Sequence, residues 1–168
     1  MQDGSYFKNH PPRCMSRLCR SLPDQFLPDL KECAGYVAFG LLCPSGSSRL
    51  MLLGKRDGHA PDLCGPLAVR CDDCGKENPL LDPRKDGYDG ELGQFSAEYD
   101  TLPATEYECP DCGGKTHELG ILLEVQGEPG DLPEEHRSRP EDFFNSASVY
   151  GICAHCDARG WLFSQECA

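Results

Sequence analysis

TEYECPDCGGKTHELGILLEV, residues 105–125, is the stretch on which the fold turns. Extended-favouring residues run into Cys109 and Cys112, a Gly-Gly-Lys turn follows, and an apolar run resumes. The same order returns in LAVRCDDCGKENPLLD (67–82) around Cys71 and Cys74, and in SVYGICAHCDARGWLFSQ (148–165) around Cys153 and Cys156. Two cysteines separated by two residues occupy a tight turn, a knuckle, whose backbone N–H groups point at the sulfurs. A glycine after the second cysteine permits the close backbone approach that this turn needs. Gly75 and Gly113 hold that place in the first two pairs, and Asp157 holds it in the third. Two knuckles face to face offer four thiolates at tetrahedral positions, a donor set suited to Zn²⁺. Cys71, Cys74, Cys109, Cys112, Cys153 and Cys156 are therefore the expected metal ligands, with zinc, one ion or two, as the expected metal and iron as the lesser candidate.

Three pairs do not divide evenly into four-cysteine sites. Joining the first pair to the second leaves 34 residues between them, and joining the second to the third leaves 40. Both spacers exceed the usual 15–20, so long loops intervene either way. The leftover pair has Cys14, Cys19, Cys33, Cys43, Cys64 and Cys167 to draw on. Cys14 and Cys19 have a spacing that ligands tolerate, so they are one way to complete a second site. Cys33 and Cys43 flank an apolar stretch and read as plain buried thiols. Cys167 follows a strand that carries it well over ~20 Å from Cys156, at ~3.3 Å per residue, and it cannot join the third knuckle.

Around these pairs the chain is poor in core residues. Leu, Ile, Val and Phe fill 33 of 168 positions, while Gly and Pro fill 32. That composition disfavours helical bundles and doubly wound α/β folds, and it makes the 12 cysteines the first candidates for holding the chain together. Such a count in a reducing compartment indicates metal more than disulfides. Met1–Pro12 lacks the apolar run of a signal peptide and no stretch nears the ~20 apolar residues of a membrane span, so the expected location is the cytoplasm.

The expected fold class is mainly β, with long loops and little helix. Residues 1–30 carry four prolines and read as a basic arm or wrapping segment. Residues 31–168 read as a single β domain. Within it, residues 31–59 hold two apolar runs, YVAFGLLC and RLMLLGKR, on either side of PSGSS, which predicts a β-hairpin. Residues 60–168 form the knuckle region. Pro140–Phe144 predicts one short helical turn with both phenylalanines inward.

Charge narrows the partners. The net charge is −12, and it is uneven: residues 1–60 hold eight Lys/Arg against five Asp/Glu, whereas the rest hold eight against 23. A body of this sign is a poor platform for phosphate backbones. The arm residues Lys8, His10, Arg13, Arg17 and Arg20 are the exception. The acidic set Asp86, Asp89, Glu91, Glu98, Asp100, Glu134, Glu135, Glu141 and Asp142 points to a basic protein surface as partner.

Several chemistries lack their residues. Zinc deaminases need H-x-E and P-C-x2-C, but Ala60-Pro61 follows His59 and Glu108 precedes Cys109. A thioredoxin-type dithiol opens a helix, whereas turns follow each pair here. LLGKR is similar to the opening strands of Nudix hydrolases, but no R-E-x2-E-E helix follows it. His155 reads as the solvent-facing tip of the third knuckle. No nucleophile and base can be named together, so no catalytic residue is assigned.

The knuckles resemble those of zinc-ribbon proteins, and DFFNSASVYGICAHCDARGWLFSQECA resembles the C-terminal ends of bacterial zinc-ribbon proteins. That likeness covers about the last 100 residues and implies a fold without an assigned activity. A second, looser likeness is to rubredoxin: Cys71-DDCG, Asp82-Pro83, Asp86-Gly87, Phe95, Leu102-Pro103 and Cys109-PDCGG follow its order. It implies that the first two pairs share one iron for electron transfer, although the spacer here is longer and the aromatic core sparser. The function expected from the residues is a small acidic metal-stapled protein-binding module, acting as adaptor, accessory subunit or inhibitor. A nucleic-acid-associated zinc ribbon using the basic arm is the alternative, and an iron electron carrier the second.

Overall fold

The computed structural model describes residues 5–30, 35–56, 63–87, 101–125 and 129–166. Among them the regular structure is mainly β, as the composition predicts. Nine strands form one antiparallel sheet: β1 (Cys19–Arg20), β2 (Tyr36–Leu41), β3 (Leu50–Lys55), β4 (Cys64–Cys71), β5 (Glu77–Leu81), β6 (Ala104–Glu106), β7 (Thr116–Val125), β8 (Phe144–Cys153) and β9 (Arg159–Glu166). Helix is confined to the short α1 (Ser5–Asn9) and to 3₁₀ turns. One of these turns is Pro140–Asp142, after which Phe143 and Phe144 are both buried, as predicted.

β7 is the organising strand. One edge pairs with β8 from His117 to Val125. The other edge is shared: β2 takes Gly120–Glu124, and β3 takes Thr116 and His117. The predicted hairpin over residues 31–59 is therefore corrected. Its two strands form where expected, but they pair with β7 instead of with each other. The length of β7 supplies the reason: its ten residues offer Gly120–Glu124 to β2 and Thr116 and His117 to β3 along one edge. β2 is buried at every position after Tyr36, and Leu50, Leu52, Leu53 and Gly54 are buried in β3. Residues 42–49 then leave the edge of β7 and return to it.

The first and third knuckles do join paired strands, β4 with β5 and β8 with β9. The second does not, because β6 pairs with β3. Ion pairs from Glu106 to Arg70 and to Lys115, each 2.7 Å, hold β6 beside β4 and the start of β7.

Residues 5–30 pack onto both faces of this sheet. Phe7, Met15 and Leu18 enter a core cluster with Leu41, Leu50, Val69, Ile121 and Val149. The chain then crosses the edge of β2 as β1, and Phe26 and Leu30 close over Ala38, Tyr150 and Ile152 on the other side.

Candidate metal centres

Each knuckle is built by the same backbone bonds. In the first, Gly75 N–H donates to the Cys71 carbonyl and Cys71 N–H to that of Lys76. Gly113 and Asp157 donate likewise to Cys109 and Cys153, whose own N–H groups reach Gly114 and Ala158. The donor after the second cysteine must be left-handed, and φ is +71° at Gly75, +72° at Gly113 and +60° at Asp157. Asp157 is the one non-glycine residue of positive φ among the described residues. A residue with a Cβ pays about 1–2 kcal/mol there, less for aspartate. An added Cβ on Gly113 meets nothing within 4 Å, so substitution there acts through the backbone alone. Gly113→Ala is expected to lower the unfolding free energy by about 1 kcal/mol, and Asp157→Gly to raise it by a few tenths. Urea unfolding of the metal-loaded variants checks both signs.

Sulfurs gather at two places. Cys109, Cys112, Cys153 and Cys156 bring four Sγ atoms within 4.8 Å of one another, and Cys43, Cys71 and Cys74 bring three. The second and third knuckles thus come together, and the first is joined by Cys43. Sγ–Sγ distances are 3.7 Å for Cys109–Cys156, 3.6 Å for Cys112–Cys153 and 3.7 Å for Cys43–Cys74. A disulfide needs about 2.05 Å. A tetrahedron with metal–sulfur bonds of about 2.3 Å has edges of about 3.8 Å, so both groups can hold a metal ion.

The first cysteine of each knuckle is buried and the second is exposed. In the first knuckle strand alternation sets this, since Leu67, Val69 and Cys71 share the buried face of β4. Further N–H groups reach the sulfurs: Gly114 to Cys112 at 3.3 Å, His155 to Cys153 at 3.5 Å and Ser45 to Cys43 at 3.5 Å. Burial opposes ionisation of Cys71, but the Cys74 N–H, the Ser45 hydroxyl, the Cys74 thiol and the Asp73 N–H outweigh it and bring the thiol down to about 6. At Cys153 burial is likewise outweighed, chiefly by the His155 and Cys156 N–H groups, and the thiol falls to about 7. The Ala158 N–H favours the Cys156 thiolate, yet its sulfur neighbours and burial push that thiol up to about 12. Sulfurs this close cannot all ionise without a counter-charge, and a divalent cation is the counter-charge that fits between them.

The remaining predicted ligands separate cleanly. Cys43, read as a plain buried thiol, is buried and also belongs to a sulfur group, which corrects that expectation. Cys14, Cys19 and Cys64 belong to neither group. Burial raises both Cys14 and Cys19, the latter to about 12, as for partly buried thiols with no metal partner nearby. Cys33 and Cys167 lie outside the described residues. The rubredoxin order, with the first two pairs on one metal, is not the order the fold makes. His155 is exposed at its tip as expected, and His117 is buried, which pushes its imidazole pKa down.

The two centres share one plan. Cys109 and Cys112 lead into β7, which pairs His117 with Cys153, and Ala154 N–H donates to the Thr116 carbonyl. Cys43 leads into β3, which pairs Leu50 with Cys71, and Asp72 N–H donates to the Arg49 carbonyl. Cys43 also opens a knuckle-like turn, with Gly46 N–H on its carbonyl and its own N–H on that of Ser47. That turn, Cys-Pro-Ser-Gly, is one residue shorter than Cys109-Pro-Asp-Cys-Gly, and Gly46 has φ +94° where Gly113 has +72°. The signal available in the sequence was a Cys-Pro followed by a glycine between two apolar runs. It was hidden by the missing second cysteine.

Comparison with protein families, curated proteins and solved structures finds no match for the chain. Among the described residues no helix is long and apolar enough to cross a membrane.

Proposed function

We propose that the chain is a small acidic zinc-stapled protein-binding module, of zinc-ribbon character, that docks on a basic protein surface as adaptor, accessory subunit or inhibitor. The observation that supports the metal-stapled part of this reading is where the sulfur groups sit. Both lie at strand ends and tie a turn entering one strand to the knuckle ending its neighbour. Clefts of about 590 and 420 Å³ elsewhere are lined by none of these seven cysteines. A structural role follows for the four-cysteine centre, which supplies all four donors of a closed tetrahedral site.

Of the acidic residues expected to face a partner, Glu134 and Glu135 are exposed and Asp86 is half-buried. Glu141 accepts from the Tyr6 hydroxyl at 3.0 Å, and Asp142 accepts from the Arg13 N–H at 2.8 Å, so these two hold the N-terminal segment as well. Asp89, Glu91, Glu98 and Asp100 lie outside the described residues.

Crosslinking of the metal-loaded protein in its native cells, followed by a salt titration of each recovered complex, tests the reading. The expected result is a basic protein whose association weakens steeply between low and high salt. Salt-indifferent association contradicts it. Retention of DNA or RNA that Arg17→Glu abolishes would move the function to the alternative. Substitution is the right probe there, because truncating the first 20 residues removes Phe7, Met15 and Leu18 from the core.

A further inference from the structure

Superposing the plans of the two centres leaves one position unmatched. The Cys43–Cys74 distance of 3.7 Å is the counterpart of Cys109–Cys156 at 3.7 Å. The counterpart of Cys112–Cys153 at 3.6 Å is a contact from Ser45 Oγ to Cys71 Sγ at 3.8 Å. Ser45 precedes the left-handed Gly46 as Cys112 precedes the left-handed Gly113. At the fourth corner of the smaller centre a serine therefore stands where the larger centre has a thiol, and no thiolate fills that position. Zinc sites draw their protein donors from thiolate, imidazole and carboxylate, and a three-ligand site keeps its fourth position for water or substrate. Among the described residues no fourth Cys, His, Asp or Glu joins this group. Ser45 and Cys74 are exposed, so the corner faces solvent.

We propose that Cys43, Cys71 and Cys74 form an exchangeable metal site whose fourth position, beside Ser45, takes a low-molecular-weight thiolate from solution. This rests on the metal-stapled reading above. Water holds the position at rest. A thiolate matches the soft donors already present better than water does, whereas the four-cysteine centre has no position to offer. In the exchange a metal–oxygen bond breaks and a metal–sulfur bond forms. The thiol proton passes to solvent, water leaves, and no oxidation state changes. The loop is kept in place independently of the metal, since Arg49 pairs with Asp72 at 2.7 Å and Ser47 bonds to Asp73.

Cobalt(II) substitution tests this, with a phosphine reductant keeping the cysteines reduced. Each protein is loaded with cobalt, its stoichiometry is measured, and 2-mercaptoethanol is titrated while thiolate-to-cobalt charge-transfer absorption is followed. The wild type is expected to bind two ions and to gain absorption saturably, in an amount matching one added thiolate, with both ions retained. Ser45→Cys is expected to start at that higher absorption and not to respond. Two bound ions with no response in the wild type overturn the exchangeable site and leave the metal-stapled reading standing. One bound ion overturns it as well, because the smaller centre is then not a metal site. No bound cobalt overturns both readings.

Discussion

Cys153→Ser is expected to release one of two metal ions and to destabilise the protein by several kcal/mol, enough to leave it largely unfolded at physiological temperature. Cys153 is fully buried at the end of β8, a strand paired on both edges, and it stands opposite His117 in the register. Its loss removes a ligand from the four-thiolate centre and leaves a buried hydroxyl facing three thiols. Structural zinc supplies about 10–16 kcal/mol of apparent binding free energy in small domains. That equals or exceeds the ~5–15 kcal/mol by which whole domains are stable. Cys74→Ser supplies the contrast. Cys74 is exposed and belongs to the smaller centre, so its loss is expected to release the other ion at a smaller cost in stability. Metal content and thermal unfolding of both variants, measured side by side, check the order. Equal unfolding midpoints for Cys153→Ser and wild type would show that the four-thiolate centre does not staple the sheet.

Phe26→Ala is expected to cost about 3–5 kcal/mol, the usual range for deleting a buried phenylalanine. Phe26 is fully buried in a 3₁₀ turn, with its ring 6.4 Å from that of Tyr150 in an edge-to-face arrangement. It also presses on Gly120 of β7, where an added Cβ would lie 3.3 Å from its Cδ1. A detached arm would predict almost no effect. Since 1 kcal/mol shifts the midpoint by about 2–4 °C at this chain size, a fall on the order of 10 °C is expected by calorimetry. An unchanged midpoint would mean that residues 5–30 add nothing to the core.

The sequence exposed the parts whose chemistry is local. A knuckle is specified within six residues, by two cysteines and a left-handed position, so all three were legible along with the extended segments around them. The phenylalanines after Pro140 were legible for the same reason. What escaped depends on contacts between distant residues. Two apolar runs flanking a short polar loop fit a hairpin locally, and nothing near residues 36–55 says that Gly120–Glu124 and Thr116–His117 supply the shared partner. Which knuckles bring their sulfurs together follows from that pairing too, because β7 meeting β8 places Cys153 beside the second knuckle. Cys43 escaped because its turn lost a residue and its second cysteine, leaving Ser45 where the repeated plan has a thiol. Prolines in residues 1–30 suggested an arm or a wrapping segment, and its few widely spaced core residues, Phe7, Met15, Leu18, Phe26 and Leu30, carried no periodicity to choose between the two.

Native mass spectrometry of the untagged, reduced protein, compared with its denatured mass, tests the central claim that two sulfur centres each hold a metal ion. The account predicts a native mass heavier by two ions, with Cys153→Ser and Cys74→Ser each retaining one. A native protein carrying no metal would contradict it, most plainly if the denatured mass before reduction were twelve hydrogens short, because all 12 cysteines would then be paired as disulfides.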